Sequence, residues 1–129
     1  MKQKQPRWIM AVSDARKRLQ RHFSIESPMD LITHSRNAYD RFACVEIVND
    51  SHLERQQKAV TLSLFLVDPD VNVRRLAISF LGRTRTDHAV SALAAQMQWD
   101  SQNPSYIRRS LVWLLPLSCG ALHSIKKWA

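Results

Sequence analysis

The fifteen residues Asp68-Pro69-Asp70-Val71-Asn72-Val73-Arg74-Arg75-Leu76-Ala77-Ile78-Ser79-Phe80-Leu81-Gly82 constrain the fold more than any other stretch of the chain. Asp70 is placed to cap the orphan N–H groups of a first helical turn. Val73, Leu76, Ala77, Phe80 and Leu81 then recur at the spacing of one helix face, and Gly82 offers a C-terminal stop. After a turn at Arg83–Thr86, Asp87 is the expected cap of a second helix with a stripe of Val90, Leu93, Ala94 and Met97. A helix, a turn and a second helix form one building block.

The block repeats. A shift of 34 residues lays Val73-Arg74-Arg75 on Ile107-Arg108-Arg109, Ala77 on Leu111 and Leu81 on Leu115, with Asp100 and Pro104 echoing the acidic, proline-bearing turn. The same shift backward puts Tyr39, Phe42, Ala43 and Ile47 under Val73, Leu76, Ala77 and Leu81, with Arg41 under Arg75. Further starts are expected at Ser27, followed by Pro28 at the first helical position, and at Ser51-His52-Leu53-Glu54, which reads as a capping box. The helix after that box, to about Leu66, is apolar on more than one side and is expected to be the most buried.

The Asp-Pro-Asp turn, the Val-Arg-Arg step, the Ala77 spacing and Leu81-Gly82 resemble HEAT-type repeats, in the short form also met in phycobilisome lyase-like proteins. The resemblance covers roughly residues 35 to 129 and is densest over 68 to 97. It implies an all-α fold: a short α-solenoid, or α-α superhelix, of about three HEAT-like helix pairs. A single domain over 1–129 follows, with N-terminal basic capping helices in 1–34 and the repeats in 35–129. The resemblance also implies that Arg74 or Arg75 pairs with Asp68 or Asp70 in a ladder along the stack; a contact to a partner or a phosphate is the alternative, and Arg108 and Arg109 inherit both readings. In such a geometry the second helices, here about 52–66, 88–98 and 121–128, line the concave face. Their polar positions make Arg55, Lys58, His88, Ser91, Gln96, His123 and Lys127, with Arg83 and Arg85 from the central turn, the candidate partner-binding set.

The charge is uneven. The formal net charge is +8, and residues 1–21 hold +6 of it through Lys2, Lys4, Arg7, Arg16, Lys17, Arg18 and Arg21 against Asp14. In the same segment Trp8, Val12, Ala15, Leu19 and Phe23 form an apolar stripe, as a capping helix at the end of a stack needs. A basic amphipathic helix also suits an anionic membrane surface or nucleic acid, which makes Arg16, Lys17, Arg18 and Arg21 candidate contacts to phosphates or an acidic surface; a cleaved presequence is a third reading.

Catalytic chemistry is hard to assemble from these residues. The five histidines are dispersed, the only glycines are Gly82 and Gly120, and no metal-binding, nucleotide-binding or nucleophile-elbow motif occurs, so no enzyme activity, metal or cofactor is expected. HEAT-like DNA glycosylases have about twice as many repeats, and their catalytic constellation does not map onto this chain. Cys44 and Cys119 are expected to be buried free thiols in a reducing cytosol. The N-terminal residues do not read as a secretory signal, and the run Leu111–Leu117 is too short to span a membrane, so the cytoplasm is the expected location. Trp8 and Trp113 are expected in the core, with Trp99 and Trp128 open. Leu111, Val112, Trp113, Leu114, Leu115 and Leu117 cover more faces than one neighbour can bury, so a homodimer or a docked partner is expected at the C-terminal repeat. The function these features predict is a non-enzymatic binding or scaffold module for a protein partner with an acidic surface, with a nucleic-acid-binding accessory protein as the alternative.

Overall fold

The computed structural model describes residues 7–22 and 28–114, and among them there are helices and turns and no strand. The chain divides into two compact units, Met1–His52 and Leu53–Ala129.

The first unit contains α1 (Arg7–His22), α2 (Pro28–Thr33) and α3 (Ala38–Asp50), with α1 and α2 both packed on α3. Val12, Ala15 and Leu19 of the expected α1 stripe are buried; Phe23 lies outside the described residues. Helix α3 begins at Asn37, whose side chain accepts from the Asp40 backbone N–H. It buries Ala43, Cys44, Val45, Ile47 and Val48, so the most enclosed helix of this unit is α3. Cys44 is a free thiol, and burial pushes it up to about 11 against a hydrogen bond from Ser35, which keeps it protonated and unreactive at neutral pH. Cys119 lies outside the described residues.

The second unit contains α4 (Arg55–Ser63), a 3-10 turn (Leu64–Val67), α5 (Val71–Thr84), α6 (Asp87–Met97) and α7 (Pro104–Trp113). Helix α5 packs on α4, α6, α7 and the 3-10 turn, and α6 packs on α4 and α7. Each helix from α4 to α7 therefore touches the helix two places along the chain as well as its neighbours. Because α5 is covered from several sides, its buried set is shifted from the expected stripe: Val73, Ala77 and Leu81 are buried with Arg74, Ile78, Gly82 and Thr84, while Leu76 and Phe80 are only half-buried.

Three of the expected boundaries need correction. Ser51 and Glu54 do not form a capping box: the Ser51 hydroxyl donates to the Val48 carbonyl at the end of α3, and Glu54 precedes α4 with no side-chain cap. The expected helix to about Leu66 ends at Ser63 and is not the most buried, since α4 buries only Ala59 and Leu62 and leaves Val60 44% exposed, and Leu64 of the 3-10 turn is 49% exposed. Thr86, not Asp87, caps α6 by accepting from the Ala89 N–H. Gly82 does not stop α5, which runs on to Thr84 and ends at Arg85 in the left-handed region (φ 54°). Gly82 serves a close approach instead: a Cβ there would lie 2.8 Å from the Cβ of Ser110 and 3.0 Å from its Cα.

The helix starts recur at 33 residues rather than the expected 34. Asn37, Asp70 and Asn103 precede α3, α5 and α7, each 33 residues after the last. In that register the trios Cys44/Val45/Val48, Ala77/Ile78/Leu81 and Ser110/Leu111/Leu114 coincide, and all nine residues are buried. Arg74 then matches Arg41 and Ile107 rather than Arg108. The guanidiniums of Arg41 and Arg74 both reach back to a turn carbonyl, those of Arg36 and Asp68.

Candidate partner-binding surface

Arg74 is bonded more widely than the expected ladder. It is buried, its Nε donates to Asp100 Oδ2 at 3.1 Å, its Nη1 donates to the Asp68 backbone carbonyl at 2.7 Å, and its Nη2 donates to Gln102 Oε1. The pairing with an Asp68 or Asp70 carboxylate is thus replaced by one with the acid of the following turn, because the Asp70 carboxylate is taken by the cap of α5 and the Asp68 carboxylate accepts from the Asp70 N–H. Asp100 also accepts from Gln96 Nε2 at 3.0 Å, from Asn103 Nδ2 at 3.3 Å and from the Gln102 backbone N–H at 3.1 Å. Burial alone would raise its carboxyl; the hydrogen bonds from Gln96, Asn103, Arg74 and Gln102 outweigh it and hold the group below its ordinary value. This cluster is a structural clip, and among the described residues no buried polar side-chain atom lacks a hydrogen-bond partner.

Gln96 belongs to that clip, since its amide also donates to the Leu66 carbonyl at 2.7 Å, and it faces inward rather than toward a partner. Among the other candidates, Arg55, Arg83, Arg85 and Ser91 are exposed, Lys58 is half-buried, and half-buried His88 bonds through Nε2 to the Ser63 hydroxyl at 3.0 Å. His123 and Lys127, with the helix expected at 121–128, lie outside the described residues. On α1, Arg16 pairs with Asp50 and Glu46, and Arg18 pairs with buried Asp40. Lys17 and Arg21 remain as exposed charges. Burial raises the Glu46 carboxyl, Arg16 opposing and Asp50 adding.

The tryptophans overturn a further expectation. Trp8 is 48% exposed, because it lies in the first turn of α1 and its ring meets the edge of Phe42 at 5.4 Å instead of entering the core. Trp113, at the end of α7, is 67% exposed beside Val112 at 55%. Trp99 is half exposed under the Arg74 guanidinium, and Trp128 lies outside the described residues.

Two grooves result. One, of about 330 Å³, lies between α1 and α3 and is lined by Trp8, Ile9, Val12, Ser13, Arg16, Phe42 and Glu46. The other, of about 400 Å³, lies where α5 and α7 touch at Gly82 and Ser110, and its walls are Ser79, Arg83, Tyr106, Arg109 and Trp113. Arg75 and Arg109 stack on Tyr106 at 4.5 and 5.8 Å, and Arg83 lies over Phe80 at 5.8 Å. Sequence reasoning missed this second groove because it read Trp113 as core and Gly82 as a stop; the 33-residue register, which sets Ser110 beneath Ala77 and Trp113 beneath Phe80, is the signal that would have found it.

Among the described residues no group of His, Cys, Asp and Glu is placed to hold a metal ion, and no helix is long and apolar enough to cross a membrane. No family model, curated protein or solved structure matches this chain.

Proposed function

We propose that this protein is a non-enzymatic binding module, a short HEAT-like solenoid in the cytoplasm, whose partner is another protein with an acidic surface. The start of a helix every 33 residues, after Asn37, Asp70 and Asn103, and the packing of α4 on α6 and of α5 on α7, support the solenoid reading. The observation that carries the functional reading is the fate of the charges. In the second unit Asp68, Asp70 and Asp100 are engaged within the fold, and among the described residues Arg55, Arg83, Arg85, Arg108 and Arg109 are exposed against the two exposed acids Glu54 and Asp87. Such a surface attracts anions, and charge alone would suit phosphates as well as carboxylates. Val112 and Trp113, exposed beside these arginines, favour a protein, because the centre of a protein interface is apolar and depleted in charge. They also suit a docked partner or a second copy at this end of the chain.

Affinity purification of the tagged full-length chain from its host, with and without nuclease, tests this reading. Retention of a protein partner after nuclease treatment is expected. Loss of all binding on nuclease treatment would favour the nucleic-acid reading instead. A double Lys17→Gln, Arg21→Gln variant would then flatten the slope of log affinity against log salt on duplex DNA by about 2, at roughly 0.9 per phosphate.

A further inference from the structure

We infer that the groove between α5 and α7 is a docking site for an acidic peptide segment that carries one apolar or aromatic anchor side chain. This rests on the protein-partner reading above and names the place and the chemistry.

The α1/α3 groove is the instructive contrast. Its one cation, Arg16, is engaged by Asp50 and Glu46, and Glu46 itself lines the groove, so its charges cancel locally. In the α5/α7 groove Arg83 and Arg109 are both exposed, both lie over aromatic rings, and neither has a carboxylate partner among the described residues. Stacking on Phe80 and Tyr106 restrains each guanidinium while leaving its N–H edges to face a ligand, and a planar fork of donors matches a carboxylate in two parallel hydrogen bonds. Between these two cations the groove offers Tyr106 and exposed Trp113 as its apolar walls. An anchor inserted there desolvates the arginine–carboxylate pairs at its margin and so strengthens them.

The dimensions favour a peptide over a nucleic acid strand. A volume of about 400 Å³ holds one large side chain and its neighbours, whereas a single strand needs a groove that tracks several nucleotides with successive stacking platforms. The floor is also tight. The contact of Gly82 with Ser110 leaves no room for a Cβ, so α5 and α7 pack closely at the floor and the groove is present without a ligand.

The test is selection of a random dodecapeptide display library on the immobilised full-length chain at physiological salt, followed by affinity measurement of the enriched peptides and of a fluorescein-labelled (dT)20 strand. Enriched peptides are expected to share acidic residues flanking an aromatic or large aliphatic one. Their affinity is expected to fall at least tenfold for Trp113→Ala and for the pair Arg83→Glu/Arg109→Glu, and to be unchanged for Arg36→Glu, an exposed charge on the other unit. All of these positions are exposed, and unchanged helical circular dichroism confirms that each variant folds. Peptides that bind every variant equally would overturn the groove while leaving the protein-partner reading intact. No enrichment would overturn the groove as well. No enrichment together with tight (dT)20 binding that the same variants abolish would overturn both.

Discussion

The two units of this protein use ionic groups in opposite ways. In the first, Arg16 and Arg18 reach from α1 with side chains 30% and 53% exposed, Arg16 to the open carboxylates of Glu46 and Asp50 and Arg18 to buried Asp40. In the second, Arg74 and Asp100 meet with side chains only 8% and 0% exposed, and Gln96, Asn103 and the Gln102 backbone N–H donate to the same carboxylate. The two carboxyls that best mark the contrast shift in opposite directions, Glu46 upward and Asp100 downward. Both are desolvated; they differ in how many hydrogen-bond donors converge on them. Ionisation of Glu46 therefore costs the fold stability at neutral pH, whereas ionisation of Asp100 contributes to it.

The largest effect that would break this contrast is Asp100→Asn. It leaves the buried Arg74 guanidinium without its countercharge, and removal of one partner from a buried pair costs about 3–5 kcal/mol. Urea unfolding monitored by circular dichroism measures it, and a loss below 1 kcal/mol would reduce the clip to an ordinary surface pair. The pH dependence has a fixed sign. Because the Asp100 carboxyl is lower in the folded state than in the unfolded chain, its contribution is complete above the unfolded value, near pH 4, and is lost as pH falls through the folded one. The parent is expected to lose stability below about pH 4 more steeply than the variant, whose side chain at that position does not titrate.

Gly82→Ala ranks second. Helix propensity alone favours alanine in a helix interior by about 1 kcal/mol, yet the added Cβ would collide with Ser110 at 2.8 Å, and overpacking costs about 1–3 kcal/mol. Net destabilisation is expected, with partial recovery in the double variant with Ser110→Gly, where the clash with the Ser110 Cα at 3.0 Å remains. A more stable single variant would mean that the two helices can slide apart and that propensity decides this position.

The smallest effect belongs to the first unit. Arg16→Gln is expected to cost less than about 1 kcal/mol, as exposed pairs do, and less still in high salt. Arg18→Gln is expected to cost more because Asp40 is buried while Arg18 itself is open to water. A loss from Arg16→Gln comparable to that of Asp100→Asn would erase the distinction between the units.

Much of the fold was legible because it rests on local rules. Asp70 caps α5 as its sequence context predicts, Val12, Ala15 and Leu19 mark the buried side of α1, and Pro28 opens α2. The errors cluster where a residue's role is set by something distant in the chain. Gly82 reads locally as a stop, and only the approach of Ser110 makes it a spacer. Ser51 and Glu54 have the right identities for a cap but lie across the end of one helix and the start of the next. Gln96 has the composition of a surface residue, and only its bonds to Leu66 and Asp100 turn it inward. The aromatic and cationic walls of the α5/α7 groove escaped for the same reason, since Arg83 and Arg109 become neighbours only when two helices pack.

The reach of the Arg74 clip has a consequence for time rather than for equilibrium. Its longest-range hydrogen bonds join residues 26 to 30 apart in the chain, from Arg74 to Asp100 and from Leu66 to Gln96. Closing a loop of that length costs about 3 kcal/mol in chain entropy, and the geometry needs α5 and α6 already in place. A contact that needs two helices already in place is expected on the native side of the folding barrier, and φ-value analysis at Asp100 tests that placement. Asp100→Asn is therefore expected to hasten unfolding while leaving refolding almost unchanged, visible as a chevron that moves on its unfolding limb alone. The clip then governs how long the folded unit lasts, and the local helices govern how quickly it appears.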